Sequence, residues 1–142
     1  MAGISHDGLD DLLKDLDSIV DIPDEVLDDM LDAEADVVVR AQKEEIASQG
    51  LIDTGELQRS ISRGRKYSKD FGRKVDIYPQ GTRKNGKKEI KNAEVGFIHE
   101  FGAPREKIPA KNWMKKANER CADQAVGSAA KVYERYLEKH NL

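Results

Sequence analysis

Leu9, Leu12, Leu13, Leu16, Ile19 and Val20 recur at steps of three and four, the stripe of an amphipathic helix over residues 8–20. Ser5 or Asp7 can cap its start, and aspartates in the first turn suit the positive end of a helix dipole. Pro23 ends this segment and opens the next, because its missing N–H costs nothing in a first turn. From Asp24 to Gln49 the period stays helical, with Leu27, Met30, Leu31, Val37, Val38 and Ala41 on the buried side. At 1.5 Å per residue that helix runs roughly 39 Å, and Gly50 is its natural C-cap.

The texture then changes. In DTGELQRSI, Asp53 and Glu56 have capping-box spacing for a short helix that Leu57 and Ile61 anchor. SRGRKYS and GRKVDIYPQ alternate, with Val75 and Ile77 on one face, Asp76 and Tyr78 on the other, and a turn from Lys69 to Gly72. Residues 81–88, GTRKNGKK, hold an Asn-Gly that favours a tight hairpin turn with a basic tip. Asn92 caps a short helix, AEVGFIHEF, that Gly102 stops. Pro104 and Pro109 bracket a loop, and Pro109 starts the next element without an N–H to satisfy. A last helix runs from Ala110 to about Lys139, with Trp113, Ala117, Cys121, Ala125, Ala129, Val132 and Tyr136 on its buried stripe. The small residues of that row admit a close neighbour, and the 24–49 helix is a suitable antiparallel partner. The expected class is α+β: two long helices on a small antiparallel sheet with a basic β-hairpin, plus a short helix before the final one. One domain spans 1–142, with 1–22 as an acidic helical extension and 23–142 as the core.

Composition sharpens this picture. Of 142 residues, 38% are hydrophobic and 36% charged, so core area is scarce and a partner subunit could complete it. No apolar run approaches the roughly 20 residues of a membrane span, and MAGISHDGLDDLL lacks the layout of a signal peptide. The single cysteine, Cys121, excludes an internal disulfide and fits a reducing cytoplasm. Residues 1–36 hold thirteen Asp/Glu and one Lys, whereas residues 59–91 hold twelve Lys/Arg and three Asp/Glu. Such asymmetry suggests an acidic face meeting a basic one, within a molecule or between copies.

Candidate chemistry is thin. His99-Glu100 is not a metalloprotease motif, since H-E-x-x-H needs a histidine at 103 and that residue is Ala. Cys121 lies on a packing stripe, and no serine has the G-x-S-x-G context. No catalytic set, cofactor site or metal site is expected. The basic 59–91 region, with Tyr67, Phe71 and Tyr78 among its charges, could contact nucleic-acid phosphates or be a solvated hairpin.

The order of features resembles the small head–tail joining (neck, minor tail component or tail-completion) proteins of long-tailed bacteriophages. Thr54, Gly55, Leu57, Ser60 and Ile61 match that family's T-G-x-L-x-x-S-I segment. Phe97, Ile98, Glu100, Phe101, Gly102, Pro109, Ala110 and Trp113 match its aromatic helix, proline loop and following helix. The match covers roughly residues 24–140, departs where Lys111-Asn112 replaces the usual Arg-Pro, and leaves helix 8–20 unmapped. The resemblance implies a non-enzymatic virion protein that forms an oligomeric ring between the portal or connector and the tail. Its role would be head–tail attachment and DNA retention, assembled in the host cytoplasm, with no membrane partner. A tail terminator capping the tube, a phage DNA-binding protein and a small hydrolase are the alternatives.

On this reading Phe97, Phe101 and Trp113 anchor the last two helices to the sheet. Asp28, Asp29 and Asp32 on the acidic helix, and Arg83, Lys84, Lys87 and Lys88 on the hairpin, are candidate subunit contacts. His99 and Glu100 at a rim, with Arg105, Glu106 and Lys107 on the loop, complete the candidate interface.

Overall fold

A computed structural model describes residues 22–51, 54–70 and 72–141. The stripe over 8–20, the Asp53 cap and Phe71 lie outside the described residues. Helix α1 spans Asp24–Ser48, with Pro23 immediately before it and Asp24 and Glu25 in its first turn. It closes on Gly50, whose φ is +70°. The Leu51 N–H donates to the Ile46 carbonyl (3.0 Å) and the Gly50 N–H to that of Ala47 (3.1 Å), a Schellman closure.

Helix α2 (Glu56–Ser60) is the next element. Gly55 sits before it at φ +80°, and the Thr54 hydroxyl accepts the Glu56 N–H at 3.3 Å. Leu57 and Ile61 are buried, as their spacing predicts.

Six short strands come next: β1 (Ile61–Arg63), β2 (Tyr67–Lys69), β3 (Gly72–Lys74), β4 (Ile77–Pro79), β5 (Thr82–Asn85) and β6 (Lys88–Lys91). They form three antiparallel two-stranded ladders, β1–β4, β2–β3 and β5–β6. The first two are segments of one long hairpin. Ile61 faces Pro79 and Tyr67 faces Lys74, while the Gly64 N–H donates to the Asp76 carbonyl (2.8 Å) between the two ladders. Along its second arm Val75 and Ile77 are half-buried and Asp76 and Tyr78 exposed, the expected alternation. In the β5–β6 hairpin Asn85 is the last paired residue, and Gly86-Lys87 make the two-residue loop with Gly86 at φ +68°. Glycine at the first loop position gives a turn whose twist matches the strands.

Helix α3 (Asn92–Phe101) leads to Gly102, a Pro104–Glu106 3-10 turn closed by an Ala103–Ile108 bridge, and helix α4 (Trp113–Lys139). Two expectations shift here. Asn92 does not cap α3: its amide donates to the Gln80 carbonyl (2.8 Å) and accepts from Arg83 Nε (2.7 Å), tying the hairpin base to the helix. Helix α4 begins three residues after Ala110, so Pro109 does not open it. The reason is local. The Lys111 and Asn112 N–H groups donate to the His99 (2.7 Å) and Glu100 (3.2 Å) carbonyls at the end of α3, and Asn112 has φ +50°. Those bonds satisfy acceptors that a helix end leaves unpaired.

Helices α1 and α4 pack antiparallel. Their seam is Val37 and Ala41 against Ala117, Cys121 and Ala125. Every inward position on that part of α4 is small, so the backbones come close without large side chains between them. Val132 and Tyr136, further along the predicted stripe, are half-buried. A second cluster, Ile46, Leu57, Ile61 and Trp113, joins both long helices to α2 and β1. The α+β class and the two-long-helix layout stand as read from the pattern.

Candidate assembly surface

Helix α3 is built around a glycine. A Cβ on Gly96 would lie 2.8 Å from Pro79 Cγ, 3.2 Å from Trp113 Cζ2 and 3.4 Å from Leu57 Cδ1. The helix therefore lies directly on the Trp113 ring, whose Nε1 donates to the Gly96 carbonyl at 2.9 Å. Asn92, Gly96 and Glu100 share the inward face, four residues apart. At 100° per residue, that placement turns Phe97, Ile98 and Phe101 the other way.

Those three are indeed exposed: Phe97 by 41%, Ile98 by 40% and Phe101 by 71%. The Phe97 and Phe101 rings pack on each other with centroids 6.1 Å apart, as an i,i+4 pair should. This corrects the anchoring role expected for Phe97 and Phe101; Trp113 alone of the three is a core anchor. An aromatic residue wants burial, but which surface buries it depends on the helix face, and Gly96 has taken the inner one. The outcome is an apolar patch at the protein surface, a feature that marks interaction sites when its members are contiguous.

Glu100 is likewise corrected from rim to core. It is 5% exposed, and its carboxylate accepts the Met114 N–H at 2.6 Å and the Lys115 N–H at 3.2 Å. It thus caps α4 from the preceding helix and places its charge at the positive end of α4's dipole. Glu100→Ala should cost about 0.5–2 kcal/mol, the usual range for a lost cap. Glu100→Gln, which retains an acceptor, should cost less. Thermal melts of both variants check this, and equal melting temperatures for wild type and Glu100→Ala would contradict the cap.

His99 is half-buried, and lines a small cavity of about 120 Å³ with Leu51, Leu57, Val95 and Arg83. Burial, reinforced by Lys111 and Arg83, holds its imidazole below the ordinary 6.5. Among the described residues no carboxylate lines this cavity. Linkage sets the sign of the pH effect. His99's contribution is fully present above the unfolded value near 6.5, and is lost as pH falls through the depressed folded value. Melting temperature should drop on acidification below about pH 6.5, and a His99→Gln variant should show a flatter profile there. Identical profiles would exclude His99 as the source.

The charged candidates divide into two groups. Arg73 grips Asp28 through two bonds, Nε to Oδ1 (2.9 Å) and Nη2 to Oδ2 (3.0 Å). The bond from Arg73 is the main cause that holds the Asp28 carboxyl below its ordinary value. Asp32 accepts Lys66 at 2.7 Å and Arg63 at 2.9 Å. Helix α1 and the first hairpin therefore meet within one chain and engage Asp28 and Asp32 there, while the basic β5–β6 hairpin takes no part in these pairs. Arg83 is also engaged, with Glu56 (3.3 Å) and Asn92 (2.7 Å). By contrast Lys84, Lys87 and Lys88 at the hairpin tip, Arg105, Glu106 and Lys107 on the loop, and Asp29 are exposed and make no ion pair among the described residues. Gly55 and Thr54 keep structural roles at the start of α2, and Pro109 is exposed beside Gly102.

Sequence reasoning missed one more surface. An open groove of about 350 Å³ runs between α1 and α4 beside the first hairpin, lined by Leu31, Val38, Val75, Ile77, Ala122 and Val126. Val126 is 62% exposed. Its signal was present but faint: Ala122 and Val126 form a second apolar pair on α4, off the main stripe. Among the described residues no cluster of His, Cys, Asp and Glu could hold a metal ion, and no helix is long and apolar enough to cross a membrane. No protein-family model matches the chain, and comparison with curated proteins and with solved structures likewise finds no match.

Proposed function

We propose that this chain is a structural subunit of a tailed-phage virion, one copy of a ring at the neck between the capsid portal or connector and the tail. The observation that carries this reading is the outward aromatic face of α3. Phe97, Ile98 and Phe101 lie inside the GFIHEFGAPREKIPAKNWM segment on which the family resemblance rests, and they are exposed in a chain with little apolar residue to spare. A monomer gains nothing from such a face, whereas a subunit flanked by copies of itself buries it. The motif order of that resemblance also corresponds to one packed unit. The TGELQRSI segment delivers Leu57 and Ile61 to the cluster around Trp113, and Gly102 turns α3 back toward α4.

The ring would support head–tail attachment and retention of the packaged genome. Lys84, Lys87 and Lys88, exposed together at the tip of the β5–β6 hairpin, are cations free to meet passing DNA, whereas Arg63, Lys66, Arg73 and Arg83 are already paired. A tail terminator would present the same surfaces at the tube end, and the experiment separates the two. Particles assembled without this chain should give filled heads and finished tails that fail to join when viewed by electron microscopy. Tails of uncontrolled length would favour the terminator. Normal infectious particles would sink both.

A further inference from the structure

We propose that the aromatic face of α3 on one copy seats in the α1–α4 groove of the next copy, a head-to-tail contact that can close a ring. The proposal rests on the ring reading above and adds to it the two surfaces that meet. Both are apolar and on different elements, as a heterologous interface requires; the patch is exposed, and the groove is open between half-buried Leu31, Val38, Val75 and Ile77 and exposed Ala122 and Val126. Phe97, Ile98 and Phe101 supply the protruding side; Leu31, Val38, Val75, Ile77, Ala122 and Val126 line the receiving one.

Charge selects the pairing. Beyond Phe101 the loop carries Arg105, Glu106 and Lys107, all exposed, with a net positive charge. Glu34 lines the groove, and Glu119 and Asp123 stand exposed on the α4 face that bears Ala122 and Val126, spaced three, four and seven residues apart. None of these six charges has an ion-pair partner among the described residues. Seating the patch in the groove brings the loop's two cations toward the three anions around the groove. Pairing patch with patch would instead oppose two loops of the same net positive charge. The chain's own residues 1–20, with five aspartates and one lysine, are a poor match for an acidic rim. At physiological ionic strength such charges act over about 8 Å, enough to orient a contact whose attraction is apolar.

Disulfide trapping tests the contact. Phe101→Cys and Val126→Cys are each made in a Cys121→Ala background, so that the buried native thiol takes no part. Both sites are exposed, and circular dichroism confirms that each variant folds. Oxidation of the mixture should yield mainly the heterodimer, and the chain carrying both cysteines should yield a ladder of multimers. Adding Phe97→Asp to the Phe101→Cys chain should abolish the heterodimer, and raised salt should slow its formation. Predominant Phe101→Cys homodimer would establish patch-on-patch pairing and overturn the proposal. So would absence of any cross-link, or a heterodimer seen only after residues 1–20 are deleted, which would make those residues the groove's occupant. The neck reading fails separately: cross-links with normal joining of heads to tails would remove the site of action and leave the contact standing.

Discussion

Trp113→Ala is expected to lower the free energy of unfolding by about 3–5 kcal/mol, the range for truncating a buried aromatic side chain. Trp113 is fully buried and touches the cluster that joins both long helices to α2 and β1. Its removal opens a cavity where Ile46, Leu57, Ile61 and the Gly96 face of α3 meet. It also deletes the Nε1 bond to the Gly96 carbonyl. Domains of this size are stable by only about 5–15 kcal/mol, so the loss is a large share of the total. Urea titration should show a lower midpoint with an unchanged slope. Trp113→Phe should cost less, because most of the ring volume remains. A Trp113→Ala midpoint equal to wild type would refute the placement of this side chain at the hub.

Gly102→Ala is the second large effect, and its cause lies in the backbone. Gly102 has φ +76° and ψ 174°, a region that L residues scarcely enter, at a cost of about 1–3 kcal/mol. A Cβ there would also stand 2.8 Å from the Ala110 nitrogen and 2.8 Å from the Ile108 carbonyl oxygen. Both are main-chain atoms within or beside the Ala103–Ile108 bridge, and neither can swing aside as a side chain would. Gly50→Ala provides the control. Gly50 has φ +70° with nothing within 4 Å of where a Cβ would stand, so that variant carries backbone strain alone. The expected result is a clearly larger fall in melting temperature for Gly102→Ala than for Gly50→Ala. Equal falls would mean that the loop yields without cost and that the close approach is unimportant.

Local periodicity was the most legible part of this chain. Trp113, Ala117, Cys121, Ala125 and Ala129 repeat every four residues, and all five are buried. Val75 and Ile77 alternate with Asp76 and Tyr78 in burial as in polarity. Periodicity reports which residues share a face; it does not say what that face meets. Phe97 and Phe101 share a face, yet the inner side of α3 went to Gly96, because only a residue without a Cβ fits beneath Pro79 and Trp113. A glycine in the middle of a helical pattern was the available cue. Glu100 looked like a surface carboxylate, and its capping of α4 depends on a return of the chain that no spacing rule encodes.

Charge blocks carried the same ambiguity. A net acidic segment and a net basic one attract each other, but composition does not tell whether they belong to one copy or two. The Asp28–Arg73 and Asp32–Lys66 pairs place the attraction within the chain. Charge reversal at Asp28 or Asp32 should therefore weaken the α1–hairpin contact before it alters any assembly. The groove beside Val126 escaped notice for a related reason: it takes residues from two helices and a hairpin, and none of the three segments shows it alone.

Locating the chain in intact particles tests the central claim most directly. A small folded tag fused to the C-terminus should appear in averaged electron micrographs as extra density arranged in a closed ring at the head–tail junction. Density confined to another part of the particle, or particles that carry none of the tagged chain, would contradict the assignment.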